Sequence, residues 1–140
     1  MYRVRKKIRF ERSHRLRNSW TEACQKIHGH SYVAEIIISA SKLNQDGMII
    51  DFGQLKEVLM KYVQKMDHAV ALHIEDPLVK IFEETQKLVA FEFNPTAENM
   101  ARDFCEYLIE EMPQDCEMDS IAVRLHETET GWAEYEVKFN

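Results

Sequence analysis

The densest set of reactive side chains in this 140-residue sequence is Cys24-Gln25-Lys26-Ile27-His28-Gly29-His30. In an extended chain residues i and i+2 face the same side with Cα atoms about 7 Å apart, so His28 and His30 can aim two imidazoles at one point. Neutral imidazole at that spacing suits zinc, which takes nitrogen ligands at about 2.0–2.1 Å. A third ligand is required, and His14, His68, His73, His126 and Cys24 are the candidates. Three histidines alone would leave an open coordination position, as a catalytic zinc needs. Cys24 as a fourth ligand would close the site and make it structural. The spacing leaves both arrangements open. An H-x-H pair by itself serves equally well to cap a turn, and it is His14, ending the first expected strand, that favours the metal.

Two further places carry possible chemistry. Asp67-His68 falls at the end of an expected helix, where an imidazole sits well against the helix dipole and an aspartate is ordinarily solvated. The same pair could instead be a carboxylate that orients an imidazole for proton transfer. Glu127 lies where a strand ends, among His126, Thr128 and Glu129, a place where acidic residues are usually exposed.

The elements that must position these residues are legible in the periodicities. Val4, Lys6, Ile8 and Phe10 share one face of a first strand, and SYVAEIIISA (31–40) reads as a second. Leu55, Val58, Leu59, Tyr62, Val63 and Met66 mark an amphipathic helix with Asp51 as N-cap. Met100, Phe104, Leu108 and Met112 mark another, capped by Thr96 and ending at Pro113. Ile121, Val123 and Leu125, the turn at Gly131 and WAEYEVKF form a terminal hairpin. The stretch 74–93 predicts a short helix after Pro77 and a strand-like VAFEF. The order predicts an α+β layer fold, helices on one face of an antiparallel sheet, in one domain over 1–140.

Composition narrows the function classes. With 45% apolar and 30% charged residues, 4 Gly and 3 Pro, the chain is neither low-complexity nor disordered. Its apolar runs are too short to span a bilayer, and the N-terminus lacks the apolar stretch of a signal peptide, so a cytoplasmic protein is expected. Cys24, Cys105 and Cys116 read as reduced thiols. The net charge of −6 conceals an asymmetry: residues 1–17 carry eight Lys or Arg and one Glu, +7, leaving −13 on the other 123. The basic segment suits an anionic small molecule or a charged strand face. An acidic protein overall is a poor nucleic-acid binder.

The ordered segments FERSHRL, CQKIHGHSY, GMIIDFGQLK, MDHAVALH, NPTAENMA and LHETET resemble the 6-pyruvoyl-tetrahydropterin synthase family from Phe10 to about Thr130. The three residues between Cys24 and His28 are similar to those of its bacterial 6-carboxy-tetrahydropterin synthase branch. The resemblance implies zinc held by His14, His28 and His30, Cys24 as catalytic thiol assisted by Asp67 and His68, and Glu127 as pterin anchor. It implies the tunnelling fold, a four-stranded antiparallel sheet with two helices on one face, assembled as a homohexamer (a dimer of trimers) with active sites between subunits. The implied substrate is 7,8-dihydroneopterin triphosphate, with neither nucleic acid nor membrane as partner. Arg9, Arg12, Arg15 and Arg17 are expected to meet the triphosphate. Departures from the family pattern are Arg12-Ser13 before His14, Ala71-Leu72-His73 after Asp67-His68, and a longer 74–93 segment. Alternatives are a 6-pyruvoyl synthase that removes triphosphate without cleaving the side chain, and a pterin-binding paralogue without turnover. Cys24, Asp67, His68 and Glu127 together argue against the paralogue, since a binder needs no acid–base pair.

Overall fold

The computed structural model describes residues 1–139. Strand β1 (Tyr2–His14) and strand β2 (His28–Ala40) pair antiparallel along their full length, from Tyr2 opposite Ala40 to His14 opposite His28. Their even-numbered side chains turn inward: Phe10, Tyr32, Ala34, Ile36 and Ile38 are all buried. The odd-numbered Arg3, Arg5, Lys7 and Arg9 are exposed on the other face, so the basic N-terminal segment is largely one side of one strand.

Helix α1 (Phe52–Met66) starts where the Asp51 carboxylate accepts the Gly53 and Gln54 N–H groups, and all six of its expected apolar positions are buried. Strand β3 (Ala69–His73), the four-residue helix α2 (Val79–Phe82) and strand β4 (Leu88–Phe91) follow. Helix α3 (Ala97–Glu111) begins at Thr96, whose hydroxyl accepts the Asn99 N–H. Strands β5 (Ser120–His126) and β6 (Trp132–Lys138) close the chain as the expected hairpin. α1 and α3 lie on the inward face of the sheet, where Tyr62 stacks on Phe104 with ring centroids 3.9 Å apart.

The α+β layering agrees with expectation, but the sheet does not. It has six strands in the order β4-β3-β1-β2-β5-β6, and it is mixed rather than four-stranded and antiparallel. The expected four strands form its β1-β2-β5-β6 part, and β3 and β4 extend it by parallel pairing. The physical reason lies in Ala69-Val70-Ala71-Leu72. All four are buried in succession, a run with no alternation to announce a strand, and parallel strands covered on both faces read this way. The 74–93 segment supplies α2 and β4 as anticipated, its role being the crossover that lets β4 lie beside β3.

Candidate metal centre

The β1–β2 register builds the site. His14 stands directly opposite His28, and His30 is two residues along on the same face, so three imidazoles from two strands converge. Their rings pack edge to face, with centroids 4.6–5.1 Å apart. One ligand nitrogen from each lies within 4.8 Å of the others, an arrangement able to hold a metal ion.

Hydrogen bonds orient two of the rings. His14, fully buried, donates from Nδ1 to the Pro95 carbonyl at 2.8 Å, just before α3 begins. His28 donates from Nδ1 to the Lys26 carbonyl at 2.7 Å. With both Nδ1 protons so committed, the Nε2 atoms of His14 and His28 face one another as bare lone pairs at 3.1 Å. Two such lone pairs repel unless a cation lies between them. Tetrahedral zinc with bonds of about 2.0–2.1 Å would separate its nitrogens by about 3.3 Å. His30 Nε2 is buried without a hydrogen-bond partner, the third donor such an ion would satisfy. The donor set therefore fits zinc.

Burial disfavours the charged form of two of the imidazoles, His14 and His30. Burial is the main cause pushing the His14 imidazolium down to about 4; the Pro95 carbonyl opposes this, and Arg12 and the two neighbouring histidines add to it. His30 is lowered chiefly by burial, against the pull of Glu127. Glu127 Oε1 lies 3.2 Å from His14 Nε2 and 3.5 Å from His30 Nε2. It also lines a cavity of about 430 Å³ with Thr96, Ala97, Thr128 and Trp132, at the start of α3.

The other expected site residues supply no ligand atom to this cluster, although His68 and His30 line one cavity of about 360 Å³. Cys24 is half-buried in a 3-10 turn (Glu22–Gln25) of the β1–β2 connection and contributes no ligand atom to it. Asp67 and His68 follow α1 at the edge of β1. The Glu11 N–H is the leading cause holding the Asp67 carboxyl below its ordinary range, and Asp67 also accepts from His68 Nδ1 at 2.8 Å. Of the four arginines expected to meet triphosphate, three have other partners. Arg12 is buried, stacked on Tyr32 and donating to its hydroxyl. Arg15 grips the buried Asp76 carboxylate with both Nε and Nη2, at 2.6 and 2.5 Å. Arg17 donates to the Glu75 carbonyl. Arg9 alone stays on the exposed basic face. The role of the Pro95 carbonyl, which orients His14, has no signal in the sequence beyond the Pro95-Thr96 start of α3.

Fold and cluster together define an α+β protein with a three-imidazole centre, buried at His14, at one end of its sheet. The chain matches the 6-pyruvoyl tetrahydropterin synthase family over residues 3–138 and belongs to that family. It is 39% identical over 105 residues to the 6-carboxy-5,6,7,8-tetrahydropterin synthase of Rickettsia felis, covering 72% of this chain and 75% of that one. To the protein of the same name from Aquifex aeolicus it is 29% identical over 157 residues, covering 96% and 97%. Among solved structures, the 6-pyruvoyl tetrahydropterin synthase of Plasmodium falciparum superposes with a TM-score of 0.74 at 20% identity, covering 98% of this chain and 99% of that one, and so shares the fold. No described helix is long and apolar enough to cross a membrane.

Proposed function

We propose that this protein is a zinc-dependent 6-carboxy-5,6,7,8-tetrahydropterin synthase, a carbon–carbon lyase whose single domain is the whole chain, 1–140. It converts 7,8-dihydroneopterin triphosphate to 6-carboxytetrahydropterin with release of acetaldehyde and triphosphate, a cytoplasmic step toward queuosine-type 7-deazapurines. The convergence of three imidazole ligand nitrogens beside Glu127 and its cavity carries this reading, and the names of the relatives point to the 6-carboxy branch.

Zinc held by His14, His28 and His30 supplies Lewis-acid polarisation of the substrate's side-chain hydroxyls. The chain's own residues do the rest. The Glu127 carboxylate accepts the pterin ring N–H and exocyclic amine as a two-point contact. The Cys24 sulfur and the His68 imidazole take and return protons on opposite sides of the side-chain carbon beside the ring. Asp67 fixes the His68 ring by accepting its Nδ1–H, leaving Nε2 as the working atom.

A shared active site in a homohexamer accounts for the placement of the dyad. The His68 side chain is 78% exposed and does not join its own chain's imidazole cluster. Among the described residues, β1 from Tyr2 to Phe10 and the outer side of β6 are unpaired sheet edges, which a ring of copies would cover. Incubating the zinc-loaded protein with 7,8-dihydroneopterin triphosphate tests the reading, with products analysed by mass spectrometry beside a chelated control. Metal-dependent 6-carboxytetrahydropterin and acetaldehyde are expected. A 6-pyruvoyl product would move the protein to the sister activity, and no turnover by an assembled, zinc-replete protein would overturn the enzyme reading.

A further inference from the structure

Helix α1 ends without the glycine that commonly terminates a helix in the left-handed conformation. His68 takes that conformation itself, with φ +59°, which a non-glycine residue keeps only when its surroundings over-determine it. Three of the restraints come from β1 and from the pair itself. The Glu11 N–H donates to Asp67 Oδ1 at 2.8 Å, the His68 N–H donates to the Glu11 carbonyl at 2.6 Å, and His68 Nδ1 donates to Asp67 Oδ2. The fourth comes from another element. Lys87, immediately before β4, donates from Nζ to the Asp67 carbonyl at 2.8 Å and to the Gln64 carbonyl. Its own backbone is fixed in turn, because the Lys87 carbonyl accepts the Val70 N–H at 2.8 Å.

We propose that Lys87 is a positioning residue for the Asp67–His68 pair, its ammonium clamping the last carbonyls of α1 and so fixing the left-handed turn from which His68 projects. The chemistry is that of an orphaned helix C-terminus: the last carbonyls lack intrahelical donors and concentrate negative partial charge, and a cation with three N–H groups answers both needs. Lys87 reaches them because the 74–93 segment places β4 beside β3, so the crossover gains a role in the site. Its charge also helps the Glu11 N–H and His68 hold the Asp67 carboxylate ionised. This inference rests on the reading of Asp67 and His68 as the acid–base pair.

The test uses the zinc-loaded full-length protein in its native assembly, comparing K87M, K87R and H68A with K80M, an exposed lysine of α2, as control. Turnover of 7,8-dihydroneopterin triphosphate is measured, and the Asp67 carboxyl is titrated by NMR. K87M is expected to lower kcat about tenfold while KM moves less than about twofold, as misplacement of a reacting group does. Its Asp67 titration should shift upward toward the ordinary carboxylate range. K87R should recover most of both, and K80M should match the wild type. Unchanged kcat and unchanged Asp67 titration in K87M, with H68A inactive, would overturn the proposal. Full turnover by H68A would instead sink the acid–base reading, and the titration then decides the clamp alone. A shift in K87M that K87R reverses supports the clamp; no shift refutes it.

Discussion

His14 and His28 are Cα partners in the β1–β2 ladder, and their Nε2 atoms meet at 3.1 Å inside the protein. Both rings donate from Nδ1 to backbone carbonyls, those of Pro95 and Lys26, which fixes the direction each Nε2 points. Facing lone pairs repel one another, and a cation held between them would make the contact favourable.

Removing one of these donors should therefore cost metal before it costs fold. His28 is the ligand to change, because it is only partly buried whereas His14 is fully enclosed. His28→Ala should weaken zinc binding by more than the about 10- to 100-fold lost when an outer partner is removed. Cys24→Ala should leave zinc stoichiometry unchanged and abolish turnover. Chelator competition and metal analysis of the two variants check both outcomes. A Cys24→Ala protein that loses its zinc would make the site a closed one.

The metal-free protein should lose stability on mild acidification. His14 binds its proton at about 4 when folded and near 6.5 when unfolded. The unfolded chain then takes up more protons between those values, so stability is full above about pH 6.5 and falls as pH drops toward 4. For this one buried group the loss is about 3 kcal/mol, at 1.36 kcal/mol per unit. Chemical denaturation at several pH values in the presence of chelator measures it. His14→Gln should flatten the slope.

Arg15 ties the connection carrying Cys24 to the β3–α2 turn. The carboxylate that receives it, Asp76, is almost wholly buried. Burial raises the Asp76 carboxyl, but Arg15 and the Leu78 N–H more than offset this and leave it below its ordinary range. Arg15→Met strands that charge, and the expected loss is about 3 kcal/mol, the low end for removing one partner of a buried pair. Changing both residues, Arg15→Met with Asp76→Leu, should recover much of it. Urea midpoints of the two variants settle the matter.

If sites are shared between subunits, two dead variants should rescue each other. Mixing Cys24→Ala with His68→Ala protomers by unfolding and reassembly should restore about a quarter of wild-type turnover, the share of interfaces that receive both intact residues at random. Continued inactivity of the reassembled mixture would place Cys24 and His68 in one chain's site.

The elements with strong local physics are legible in the chain alone. Asp51 and Thr96 mark helix starts because a carboxylate or hydroxyl satisfies orphan N–H groups wherever the chain turns helical. The six apolar positions of α1 and the alternation of β1, β5 and β6 depend only on one face being buried. The H-x-H pair was legible for the same reason: two residues apart on a strand is one face, whatever surrounds it. Tertiary structure alone decided what those faces meet. Register, which no local signal fixes, put His14 opposite His28, and the start of α3 brought the Pro95 carbonyl to its Nδ1. Strand β3 carries no local signal because a run buried on both faces has no period. Arg12, Arg15 and Arg17 are indistinguishable from Arg9 as letters. They differ because burial and a neighbouring carboxylate, both products of the folded chain, gave three of them other partners.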